Sequence, residues 1–162
     1  MSKARIDDIE AAIIAAIQAD PTLSAYIPAN QVQTLSERNV DFRNEQVIIL
    51  PPAVLVYYLG GSYQPKTNTW KLNLADEPFA LLAVARNLRG AKDAKEGGVG
   101  GEKGAYEILE DLKTLFAGKQ LTVAVGVNIS CRLVGAAFEG LGANGSLVYS
   151  LQIVCQGIWD NA

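Results

Sequence analysis

Residues 79–118 read FALLAVARNLRGAKDAKEGGVGGEKGAYEILEDLKTLFAG: an apolar run, then glycines and lysines, then a helix-like pattern. If the glycines cradled a phosphate between a strand and a helix, the chain would be a nucleotide-binding α/β domain. The spelling argues against that. A Walker loop needs Gly-Lys followed by a hydroxyl residue, but Lys103 follows Glu102 and precedes Gly104. A dinucleotide fingerprint needs three spaced glycines directly after a strand. Gly98 and Gly100 begin one, and Lys103 stands where the third belongs. Glu96 and Glu102 would also set negative charge against the phosphates. The stretch reads better as a strand, a long surface loop and an amphipathic helix. Long loops in compact domains usually carry a function or remain disordered. A glycine-rich loop that orders on meeting a partner fits both halves of that rule.

The flanking text supports this reading. Ile108, Leu109, Leu112, Leu115 and Phe116 form one stripe at helical spacing, which predicts a helix over 104–117 closed by Gly118. Glu107, Glu110 and Asp111 then read as its solvated face. Residues 5–19 predict a second amphipathic helix through Ile6, Ile9, Ile13 and Ile17, ended by Asp20-Pro21. A short strand is expected near 32–35. Strand text dominates the remainder: QVIIL (46–50), AVLVYYL (53–59), TWKLNL (69–74) and FALLAVARNL (79–88), the last two punctuated by 76–78. LTVAVGVNISCRLV (121–134) and SLVYSLQIVCQGIW (146–159) read as two further strands. GAAFEGLGANG (135–145) reads as their connection, with Asn144-Gly145 a turn signal. Helix, strands, helix, strands with short connections give one α+β domain over 1–162. Its sheet is mainly antiparallel, and both helices pack on one face.

Composition narrows the chemistry. The chain has 162 residues, a net charge of −3, two cysteines and no histidine. Without histidine, Ser-His-Asp and Cys-His catalysis and most transition-metal sites fall away. No catalytic set, metal or cofactor is expected. The acidic balance gives nucleic acid no bulk attraction. Asp7, Asp8 and Glu10 stand where a secretion signal would be apolar. No apolar run is long enough to cross a membrane. Cys131 and Cys155 read as free buried thiols, with a disulfide as the alternative. Arg86 and Arg89 either clamp an anion or end a strand and meet carboxylates. Trp70, Trp159, Tyr57, Tyr58 and Tyr63 are either interface anchors or core and rim.

FALLAVARNLRG, a Lys- and Gly-rich loop, GAYEILEDLKTLFAG (104–118) and NGSLVYSLQIVC (144–155) follow in that order. As an ordered set they resemble a family of small proteins encoded among the tail genes of Mu-like phages. The match covers Phe79 to Cys155; the first 75 residues agree in outline only. The resemblance implies a structural protein of the virion tail, assembled in the host cytoplasm and not an enzyme. The family is similar to tail terminators, α+β subunits that form a ring, usually six-fold, on the head-proximal end of the tail tube. Implied partners are further copies of the chain, the tube protein, a head–tail connector and, where the tail contracts, a sheath protein. A connector adaptor is the near alternative. A nucleotide-binding enzyme using the glycine loop at 97–104 is the alternative from another class. The candidate assembly loop comprises Arg86, Arg89, Lys92, Lys95, Gly97, Gly98, Gly100, Gly101 and Lys103.

Overall fold

A computed structural model describes residues 6–65, 72–86, 103–124, 127–142 and 145–160. The chain opens with helix α1 (Ile6–Ala19), the one-turn α2 (Pro21–Ser24) and a 3-10 turn at Ala29–Gln31. Asp20 ends α1 and starts α2, its side chain accepting the Leu23 N–H at 3.0 Å. Strands β1 (Val32–Thr34), β2 (Val40–Asp41), β3 (Gln46–Val47), β4 (Ala53–Tyr58), β5 (Ser62–Pro65) and β6 (Leu72–Ala85) follow. Helix α3 (Ala105–Phe116) leads into β7 (Gln120–Ala124), β8 (Val127–Leu141) and β9 (Leu147–Asp160).

The architecture is α+β. One sheet has the strand order β1-β4-β6-β9-β8-β7, and β5 joins β6 beside the end of β4. Its pairings are antiparallel except β1 on β4. Strands β2 and β3 form a small separate hairpin. The sheet's alternation divides the apolar residues between two faces. Val54, Val56, Phe79, Leu81, Ala83, Leu151 and Ile153 share one buried cluster with Ile9, Ile13 and Ile17 of α1 and with Ile108, Leu112 and Phe116 of α3. Ala53, Leu55, Leu82, Val84 and Val148 face the other way and pack with Val40 and Val47 of the hairpin. The helical stripe of α3 is thus its buried face, and Gly118, at φ 69°, takes the left-handed conformation expected after the helix end.

Four expectations about strands change. The two expected strands are joined as one long strand over Leu72–Ala85, running through Asp76–Pro78. Pro78 is tolerated because β4 ends opposite Phe79 and β5 begins opposite Asp76. Its carbonyl takes the Leu59 N–H at 2.9 Å, so the side of the residue that lacks an N–H faces this gap between strands. The text at 121–134 is a hairpin, β7 turning into β8, not one strand. Residues 135–141, read as a connection, continue β8, with register shifts at Leu133/Gly135 and Phe138/Gly140. These bulges absorb the mismatch that made the segment look irregular. QVIIL supplies only the two residues of β3.

Candidate assembly surface

The two edges of the sheet are built differently. At β1, three residues pair with β4 and the outer side is closed by a turn. Asn39, buried at its centre, donates its side-chain N–H to the Thr34 carbonyl at 2.7 Å and to Gln33 Oε1 at 3.2 Å. Its Oδ1 accepts the Ser36 N–H at 2.9 Å. The Thr34 carbonyl, which a foreign strand would use, is already engaged there.

At the other edge, β7 covers β8 only over Val127–Ser130, with the Cys131 N–H reaching back to the Lys119 carbonyl at 2.7 Å. From Arg132 to Leu141, no strand among the described residues lies beside β8 on the side away from β9. The side chains along this stretch are uncharged from Leu133 to Phe138. Val134, Phe138 and Leu141 are exposed, Phe138 by 54% and Leu141 by 58%. Phe138 packs tilted against Tyr149 at 5.2 Å, and Tyr149 also meets Tyr106 of α3 edge-on at 5.6 Å. A long, apolar, unpaired edge is a template for strand addition, and soluble proteins normally blunt it with charge, proline or a cover.

Beside this edge lies a groove of about 380 Å³ on the face away from the helices. Leu82, Val148 and Tyr57 line it from the sheet, Phe42 and Val40 from the β2–β3 hairpin, and Leu141 from β8. Phe42 is 60% exposed at the hairpin tip. The tip is shaped by Asp41, whose carboxylate accepts the Arg43 N–H at 3.0 Å, the Asn44 N–H at 3.3 Å and the Asn44 side chain at 2.7 Å. These bonds, the Asn44 side chain first, hold the Asp41 carboxyl below its ordinary range. The β8–β9 turn is pressed close to the hairpin at Gly142, where a Cβ would stand 2.9 Å from the Val47 carbonyl. The left-handed φ of 73° at Gly145 completes that turn.

Two residues of the sequence-derived loop set are placed. Arg86 follows β6 directly, exposed, with Nη2 donating to the Pro51 carbonyl at 3.4 Å. Lys103 precedes α3, its Nζ 2.9 Å from Glu107 Oε2 and 5.8 Å from the centre of the Tyr26 ring. The Glu107 carboxylate holds the Lys103 ammonium above its ordinary value. Arg89, Lys92, Lys95, Gly97, Gly98, Gly100 and Gly101 lie outside the described residues, as does Trp70. The acids of α3 are only partly a solvated face, because Asp111 accepts the Tyr26 hydroxyl at 2.7 Å. Burial first, and then this bond, push the Tyr26 hydroxyl well up. Residues 134–141 and Phe42 were missed by the sequence reading. The charge-free run from Leu133 to Phe138 was the signal available for the former.

Among the described residues no group of three His, Cys, Asp or Glu could hold a metal ion. No described helix is long and apolar enough to cross a membrane.

Over residues 5–147 the chain matches the family model described as Bacteriophage Mu, Gp37, and it belongs to that family. The resemblance to small tail proteins of Mu-like phages therefore holds. No curated protein matches the chain. Among solved structures it is similar to a chain of the virion of a native gene transfer agent particle. The identity is 13%, the likeness covers 96% of this chain and 98% of that one, and the TM-score is 0.56. At that identity the likeness concerns the fold.

Proposed function

We propose that this member of the Gp37 family is a structural, non-enzymatic subunit of a phage tail. Its role is to cap the head-proximal end of the tail tube as a ring and to offer the surface to which the head joins. The observation that carries the reading is the unpaired apolar edge of β8 beside the open groove. A ring subunit needs one surface that contacts a different surface of its neighbour and closes by rotation. A sheet with one edge sealed and the other open has that asymmetry. Strand addition supplies main-chain hydrogen bonds for affinity, and a flanking groove supplies side-chain pockets for selectivity. An interface of standard size takes about 800 Å² from each partner, within reach of a domain this large.

The partners in this reading are further copies of the chain, most simply six in a ring, the tail tube protein and a head–tail connector. A sheath protein joins them if the tail contracts. The subunit assembles in the host cytoplasm and remains in the virion tail. Arg86, Lys103 and the loop between them are assigned to docking contacts, not to a nucleotide. Support comes from the broken phosphate motifs and from the engagement of Lys103 by Glu107.

Electron microscopy of particles produced without the protein tests this role. Overlong or irregular tails are expected. Tails of normal length beside unattached heads would replace the terminator by a connector adaptor. A single copy of the protein per purified tail would exclude the ring.

A further inference from the structure

We propose that Cys131 and Cys155 are a built site of reversible oxidation, two thiols placed to close a cross-strand disulfide between β8 and β9. The two residues stand directly opposite each other in the register of the sheet. Their sulfurs are 3.6 Å apart, and both side chains are buried in the cluster under the helices. The Cys131 N–H bonds outward to Lys119 at 2.7 Å, not to β9. The pair therefore belongs to the class of opposed residues that exchange no backbone bonds. In that class the Cα atoms approach to about 4.5 Å and the side chains come closest. Disulfides span Cα separations of roughly 4.4–6.8 Å, so the backbone needs no rearrangement to be bridged.

The surroundings distinguish the two sulfurs. Cys131 shares a hydrogen bond with Cys155 and lies near the Lys119 ammonium, both of which lower its thiol against the effect of burial. Cys155 is pushed up by sharing that hydrogen bond with Cys131, by burial and by the Glu77 carboxyl group. Glu77 lies opposite Cys155 on β6, completing a row Glu77–Cys155–Cys131 across three strands. Because Cys131 lies on β8, the strand that β7 covers, opening of that edge reaches it first, which makes it the attacking sulfur and Cys155 the resolving one. With a small disulfide such as oxidised glutathione, the Cys131 thiolate attacks one sulfur and releases one glutathione thiolate. Cys155 then loses its proton and attacks the Cys131 sulfur, which releases the second glutathione. Two protein thiols are oxidised and one external disulfide is reduced to two thiols. Access comes through opening of β7, a five-residue strand at the edge of the sheet. In a reducing cytosol the pair remains as thiols, and in an oxidising medium it closes. This chemistry does not depend on the assembly role.

The test uses the purified full chain, equilibrated with mixtures of reduced and oxidised glutathione. Free thiols are then counted by alkylation and mass spectrometry. The expected result is concerted loss of two thiols without added glutathione mass, with 131 and 155 joined in a monomer. The bridge joins positions 24 apart, so melting should rise by roughly 5–10 °C and fall back with a reductant. Cys155→Ser should accumulate a glutathione adduct at Cys131, whereas Cys131→Ser should react more slowly at Cys155. Two free thiols retained by the folded wild-type chain in pure oxidised glutathione would overturn the proposal. So would a disulfide found only between chains. The wild-type measurement decides even if neither variant folds.

Discussion

The β1 and β8 edges belong to one sheet and solve the same problem in opposite ways. Both present backbone groups at the rim of a hydrogen-bonded array. At β1 the exposed length is three residues, and a buried asparagine takes up the Thr34 carbonyl. At β8 ten residues, Arg132 to Leu141, run past the end of β7 with Val134, Phe138 and Leu141 exposed. Neither charge nor proline interrupts the stretch from Leu133 to Phe138. Monomeric proteins guard such edges because unguarded ones aggregate. Guarding one edge and leaving the other bare gives the molecule a direction, which head-to-tail assembly requires.

The largest expected effect is a control that ignores the edges. Leu112 is fully buried between α3 and the sheet, so Leu112→Ala should cost about 2–5 kcal/mol of stability. Chemical denaturation measures it, and the protein that remains folded should still enter tails. If this variant instead melted like wild type, the buried face of α3 would be wrongly assigned and the contrast would lose its frame. Asn39→Ala acts on the guarded edge. It leaves the Thr34 carbonyl and the Ser36 N–H without the partner that the buried Asn39 side chain supplies, at a cost of about 1–3 kcal/mol. It also unseals β1, so self-association on sedimentation should increase. A variant that is destabilised yet no more associative would leave Asn39 as a structural residue and remove its guarding role.

The sequence made the core of this contrast legible and its margins illegible. The stripes of α1 and α3 report burial directly, because a buried face repeats with the period of its element, and the apolar runs of β4 and β9 mark strands buried on both faces. The β8 edge does not, because it is neither buried nor polar. Val134-Gly-Ala-Ala-Phe has small residues, two bulges nearby and no clean alternation, so it resembles a connection. Pro78 misled in a similar way. A proline in a strand is permitted where a neighbouring strand is missing, and only the topology reveals the gap between β4 and β5. The glycine loop drew attention through composition, whereas the β8 edge and the Phe42 groove arise from strands distant in the chain. A groove joining residues 35–57 to residues 139–148 has no local spelling.

The smallest effect on stability should accompany the clearest effect on assembly. Val134 stands at a bulge with half its surface in solvent, and a lysine there removes no buried contact. Val134→Lys should therefore change folding stability by no more than about 0.5 kcal/mol, as surface substitutions usually do. On the bare edge the same lysine is the device by which soluble proteins discourage strand pairing. An incoming strand would have to desolvate the ammonium or displace it, so incorporation into tails should fall sharply while the melting curve remains that of wild type. Thr34→Lys on the sealed edge is the matched comparison, since its side chain is also exposed and no partner strand is expected there. Complementation of particles lacking the protein reads both variants, with tail length and the amount of each variant in purified tails as the measures. Loss with Val134→Lys and retention with Thr34→Lys would fix the direction of assembly. Equal incorporation of both would mean that the β8 edge stays bare in the particle, and the ring contact would then have to be sought at the groove or the loop.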